Sequence, residues 1–244
     1  MIFWLAVSVI IIGLGIFLGL PIKIPREPDR EGAQDGGATK SYDEVSRWFI
    51  FDMERSAVLH KLRKCRLHGL LIDLGCGPGH LAAQISRDYT DLNIVGLDNN
   101  RGMLLLSLKN WSNSSYRNVE FVCGDVHNLP FVDNSVEYVV SSLSLHHWTD
   151  GGMACREIFR ILKPGGQFII FDLNRNCPRF FYYILQIGQL IAPKPIRRTN
   201  GAIGSLWASY TPYELREILY RIPWEKVHIE TQVGWMIVRG YKPD

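Results

Sequence analysis

The sequence predicts a doubly wound, mostly parallel α/β sheet behind an N-terminal membrane helix. Three observations lead there. Short β-rich runs alternate with helical stretches from residue 70 onward, a glycine loop follows the first of those runs directly, and the segment Met1–Ile22 carries no charged side chain. Continuous apolar strands separated by helices are what a parallel sheet covered on both faces requires, with right-handed crossovers between strands.

In chain order, the first element is the uncharged run 1–22 (MIFWLAVSVIIIGLGIFLGLPI). As a helix rising ~1.5 Å per residue it spans the ~30 Å hydrocarbon core of a bilayer. It lacks the basic n-region and the A-x-A-like site of a cleaved signal peptide, so it reads as an anchor. Lys23, Arg26 and Arg30 flank it on the C-terminal side, and the positive-inside bias places the rest of the chain in the cytoplasm. Residues 23–40 are polar, with prolines and glycines, and read as a flexible linker. The folded domain, 41–244, then opens on S-Y-D-E, a capping box from Ser41 to Glu44. The apolar residues Val45, Phe49, Met53, Val58 and Leu62 continue it as one amphipathic helix ending near Arg66.

Strands are expected at 70–74, 93–98, 119–125, 136–143 and 167–173, with helices from about Gly79, from about Arg101, and over 151–162. Towards the C-terminus, T-P-Y-E at 211–214 is a second capping box, and 224–231 and 234–241 are strand-like. Ligands of doubly wound sheets bind outside the carboxyl ends of the strands, so the residues there are the candidates. Asp73 and the loop Gly75-x-Gly77-x-Gly79 follow the first strand; Asp98 ends the second and Asp125 the third. Small residues let backbone N–H groups and a helix N-terminus approach an anionic group. The spacing G-x-G-x-G places the third glycine one residue short of the dinucleotide fingerprint G-x-G-x-x-G. A carboxylate such as Asp98 suits two vicinal ribose hydroxyls, and Asp125 suits an exocyclic amine.

Composition excludes other classes. A net charge of +3 over 244 residues, with no basic stripe, does not suggest nucleic acid as a partner. The five cysteines contain no C-x-x-C pair, which argues against a zinc or redox site and for free thiols. No metal is expected.

The motifs D-L-G-C-G-P-G from Asp73, G-L-D-N-N from Gly96, G-D-V-H-N-L-P-F from Gly124, S-S-L-S-L-H-H-W from Ser141 and L-K-P-G-G from Leu162 occur in this order. Together they resemble class I S-adenosylmethionine-dependent methyltransferases, most closely the branch containing the ubiquinone and menaquinone biosynthesis enzymes and many small-molecule methyltransferases. The resemblance covers about 41–244 and implies a Rossmann-like, seven-stranded sheet whose last strand runs antiparallel. It implies S-adenosyl-L-methionine as cofactor. Gly75, Gly77 and Gly79 would pass beneath its methionine part, and Asp73 would hold its amino end. Asp98 would take the ribose hydroxyls with Asn99 and Met103 beside the sugar and base, Asp125 and Val126 would meet the adenine, and Ser142 would line the methyl end.

A sulfonium methyl is already activated, so placement of the acceptor in a water-poor site carries most of the catalysis. His147, beyond the fourth strand, is the candidate general base; packing or capping by that histidine is the competing reading. Tyr42 and Asp172 are weaker candidates. The apolar stretch between the fifth strand and residue 211, with Arg197 and Arg198, suggests a small, lipophilic acceptor drawn from the bilayer, although packing on the sheet explains the same pattern. A protein or RNA methyltransferase and a non-catalytic cofactor-binding membrane scaffold remain as alternatives.

Overall fold

The computed structural model describes residues 13–27, 36–111, 118–198 and 200–244. Seven strands form one sheet: β1 (Leu70–Leu74), β2 (Asn93–Asp98), β3 (Val119–Cys123), β4 (Val136–Ser142), β5 (Leu162–Leu173), β6 (Lys226–Thr231) and β7 (Trp235–Tyr241), in the order β3-β2-β1-β4-β5-β7-β6. The first five run parallel, while β7 pairs antiparallel with both β5 and β6. The short β6–β7 connection imposes this reversal, with Gly234 at φ +84° in its turn. After β1 the chain builds outward to β3, then crosses back to place β4 on the other side of β1. That reversal opens a crevice at the carboxyl ends of β1 and β4.

Alternation along the central strands produces two cores. Ile72, Leu74, Val139, Phe168, Ile170, Met236 and Val238 face one layer; Leu71, Tyr138, Val140, Ile169, Phe171 and Ile237 face the other. The first layer is closed by α5 (Gly151–Ile161) and α9 (Pro212–Leu219), the second by α2 (Phe49–Leu62) and α3 (His80–Asp88). The predicted box at 211–214 is present: the Thr211 hydroxyl accepts from the Glu214 N–H and the Glu214 carboxylate from the Thr211 N–H. Further helices are α1 (Gly36–Val45), α4 (Arg101–Trp111), α6 (Arg179–Ile191), α7 (Lys194–Arg198) and α8 (Gly201–Ala208), with a 3₁₀ turn at Leu145–His147.

Two expectations differ from what is observed, and a third falls partly outside the described residues. The single helix predicted from Ser41 is two helices, and Ser41 lies inside the first rather than capping it. Ser46 returns its hydroxyl to the Asp43 carbonyl and Arg55 donates to the Ser46 carbonyl, which stabilises the break. The predicted membrane span is helical over 13–19 where it is described, and its residues 1–12 lie outside the described residues. No helix among the described residues is long and apolar enough to cross a membrane. The predicted linker is fastened to the domain over its first part: the Ile24 carbonyl accepts from Arg175, the Glu27 N–H donates to the Trp207 carbonyl, and Arg26 donates to the Ala208 carbonyl. Its residues 28–35 lie outside the described residues, and from Gly36 it is already α1.

Candidate functional site

A cavity of about 510 Å³ opens at the carboxyl ends of β1, β2 and β4, within the range of small-molecule sites. Of the candidate residues, Gly75, Gly77, Asp98, Asn99, Met103, Asp125, Val126 and His147 line it. Tyr42, from α1, closes it from the other side, and Leu143, Ser144 and Trp148 form the wall beyond β4.

The glycine loop divides its labour. Gly75 sits at φ +66°, and a methyl group there would overlap the Ser144 hydroxyl, so only glycine leaves the cavity floor open. Gly79, at the N-terminus of α3, does not line the cavity; an added Cβ there would approach the Phe121 ring to 2.7 Å, so its smallness serves packing against β3. Between them the Gly77 N–H donates to Asp98 Oδ2 at 2.9 Å, while the Asn100 N–H donates to Oδ1 at 2.8 Å. Two backbone donors thereby orient Asp98 and leave further lone pairs on both oxygens. Burial raises the Asp98 pKa, opposed by those two N–H groups. The Asn100 carboxamide caps α4 by accepting from the Gly102 and Met103 N–H groups, fixing the turn that carries Asn99.

Asp73 is buried beneath the loop, outside the cavity lining. Burial pushes its pKa up to about 7, and its Oδ2 has no hydrogen-bond partner among the described residues. An acceptor left in this state fits an ammonium donor, and with the glycine floor and the oriented Asp98 it meets what S-adenosyl-L-methionine asks of a site. Asp125 makes a turn of its own: His127 donates to it through its N–H at 2.9 Å, and the His127 ring nitrogen lies 2.6 Å away. The His127 N–H is the chief cause holding its carboxyl below the usual range. Asp125 therefore holds its own turn while lining the cavity.

Ser142 departs from its expected place. Its hydroxyl turns to Glu54 of α2 instead of lining the cavity. Burial raises the Glu54 pKa to about 8, with the Ser142 hydroxyl and Arg55 opposing and Asp172 and Asp73 adding to the rise. The tips of β1, β4 and β5 thus bring Asp73, the Ser142–Glu54 pair and Asp172 into one buried polar group. Sequence reasoning missed Glu54, whose only signal was an acid on the buried side of a helix. Asp172 clamps the 3₁₀ turn, accepting from the His146 N–H at 2.8 Å and meeting the His146 ring nitrogen at 2.7 Å. The His146 and His147 rings lie 4.0 Å apart, so the clamp on the first sets the position of the second on the cavity wall. Leu143, at φ +50°, makes the bend that turns this segment into the cavity. Among the described residues no group of three or more His, Cys, Asp or Glu is arranged to hold a metal, and the five cysteines are free.

Comparison with known proteins agrees with this architecture. The methyltransferase domain family matches residues 72–170. A demethylmenaquinone methyltransferase of Thermotoga maritima is 31% identical over 145 residues, covering 58% of this chain and 61% of that protein. The uncharacterized methyltransferase YcgJ of Bacillus subtilis is 29% identical over 148 residues, covering 60% and 58%. The chain thus spans about three fifths of the length of these curated relatives. Among solved structures, Haemonchus contortus phosphoethanolamine N-methyltransferase 2, in complex with S-adenosyl-L-methionine, shares the fold with a TM-score of 0.68 at 16% identity, over 88% of this chain and 59% of that one. Strand order, the glycine loop and the methyltransferase-domain match over residues 72–170 together support a class I S-adenosylmethionine-dependent methyltransferase.

Proposed function

We propose that this methyltransferase carries a methyl group from S-adenosyl-L-methionine to a small, lipophilic acceptor at the cytoplasmic face of a membrane, to which residues 1–22 tether it. The observation that carries the reading is the meeting of the glycine floor, Asp98 and the His147 wall on one cavity. The cofactor supplies an electrophilic sulfonium methyl. Asp98 holds the ribose, Asp73 the amino end, and Asn99, Met103, Asp125 and Val126 surround the base. Giving up that methyl to the acceptor would leave the cofactor a neutral thioether. An acceptor with an N–H or O–H releases its proton, and His147 is the residue placed to take it. Tyr42 and Trp148 exclude water from that step. The lipophilic acceptor is supported by the quinone-type substrate named for one relative, and the tether by the uncharged run and its basic flank.

The test is incubation of the full chain in detergent with methyl-labelled cofactor and a membrane lipid extract. Label recovered in a defined lipid-soluble molecule supports the reading. Label confined to protein or RNA fractions overturns the acceptor class, and cofactor binding without transfer to any fraction points to a scaffold.

A further inference from the structure

Helix α6 carries its apolar residues on the outside. Phe180, Tyr183, Ile184, Ile187, Leu190 and Ile191 are between 37% and 76% exposed. Their spacing of three and four places them on one continuous stripe of the helix. The opposite face is the one that packs: the Phe181 ring covers Gly234 and meets the Trp235 ring at 6.1 Å. A water-facing helix has the reverse arrangement, so this stripe marks an interaction surface.

Two further observations say what covers it. The uncharged N-terminal run leaves the domain at the first residue of α6. Pro21 bridges Pro178, the Ile22 N–H donates to the Cys177 carbonyl at 2.8 Å, and the Arg179 N–H donates to the Leu20 carbonyl at 3.0 Å. The Arg179 guanidinium lies 4.3 Å from the centre of the Phe17 ring, and Leu14, Ile16, Phe17 and Leu20 are exposed beside it. Charge supplies the second: the chain has no Asp or Glu between Asp172 and Glu214, while Lys194, Arg197 and Arg198 are exposed just past the end of α6.

We propose that α6 lies in the interface of an anionic lipid bilayer, with its stripe among the acyl chains and Lys194, Arg197 and Arg198 at the level of the phosphates. Such a helix pairs an apolar face with basic residues at the headgroups. The proposal rests on the membrane reading of residues 1–22 and is independent of the acceptor. It holds the domain in one orientation on the membrane. It also bears on the site, because α6 packs on α8 and α8 packs on the Leu145–His147 turn of the cavity wall.

The test uses the full chain with the exposed Cys123 replaced, Cys123→Ser, and a nitroxide label attached at Ile187→Cys, Leu190→Cys or, as control, Glu217→Cys on α9. All three parent side chains lie outside the core, so the fold is kept. The chains are reconstituted in phosphatidylcholine vesicles with and without phosphatidylglycerol. Each label's collisions with oxygen, which concentrates in lipid, and with a water-soluble nickel chelate are measured. With phosphatidylglycerol, the labels at 187 and 190 should favour oxygen at least fivefold over the control. Nickel access equal to the control, in chains that float with the vesicles, overturns the proposal and leaves the tether standing; chains that do not float overturn both. Dipolar broadening between labels, without lipid access, identifies a second copy of the chain as the occupant and also overturns it. Methyl transfer in detergent is scored separately and is unaffected by these outcomes.

Discussion

At Asp98 two backbone donors have already spent one lone pair on each oxygen, so its remaining capacity faces the cavity. Asp98→Ala should weaken cofactor binding by at least tenfold by titration calorimetry, roughly the loss of a charge-assisted pair; near-parental affinity would remove the ribose role. Glu54 makes a different prediction. Burial pushes its pKa up to about 8 in the folded chain from an ordinary 4.5, so the folded state holds the extra proton between those values. Stability from this group is complete below about 4.5 and is lost as pH rises through about 8. Asp73, raised to about 7, has the same sign. The melting temperature of the ligand-free protein should therefore fall from pH 5.5 to 8.5, and Glu54→Gln should flatten that fall; an unchanged slope in the variant would show that Glu54 is ionised throughout. The places of Asp98 and Gly75 on the cavity were legible in the sequence because they follow from position beside a strand end. Glu54 was not, because its partner Ser142 lies 88 residues away and no local pattern links them.

Elements whose shape is set by period and punctuation were read with near-correct bounds: β1 and β2 match their apolar runs, and the Thr211 box starts α9 as expected. The entry helix was misread because its apolar spacing continues across the break at 46–48, whereas the break depends on Arg55 reaching the Ser46 carbonyl. That break frees α1 to lie over the cavity, where one carboxylate holds it. Asp43 Oδ1 meets His80 Nε2 and Asn110 Nδ2 at 3.0 Å each, and Oδ2 accepts from Arg47 at 3.1 Å. Burial, with Arg55 nearby, lowers the His80 pKa, which favours the neutral ring and makes its contact a hydrogen bond. Asp43→Ala should loosen the closed position by about 1 kcal/mol, raising the cofactor Kd roughly fivefold. Hydrogen exchange over 36–45 should quicken in the variant; unchanged exchange there would mean that α1 is held by other contacts.

Across the whole molecule, composition separated the chain into anchor, linker and domain, yet the second boundary falls elsewhere because two isolated arginines act over long distances. Arg175, whose side chain is 4% exposed, donates to the carbonyls of Ile24 and Ser209 and pairs with Glu214. Arg26 lies 3.9 Å from the centre of the Tyr210 ring while donating to the Ala208 carbonyl at 2.7 Å. Neither residue belongs to a motif, so a polar, proline-containing stretch read only as a tether. Removing residues 13–27 leaves a buried guanidinium short of an acceptor and strips a cation from an aromatic face, a loss of about 3 kcal/mol. A chain starting at Gly13 and one starting at Pro28 both lack residues 1–12, so their difference isolates this segment. By calorimetry the shorter chain should melt lower by roughly 6–12 °C, at 2–4 °C per kcal/mol for a domain of this size. A true linker would leave the two melting temperatures equal, and that result would return residues 23–27 to the tether and detach the start of α6 from the segment that leads to the membrane.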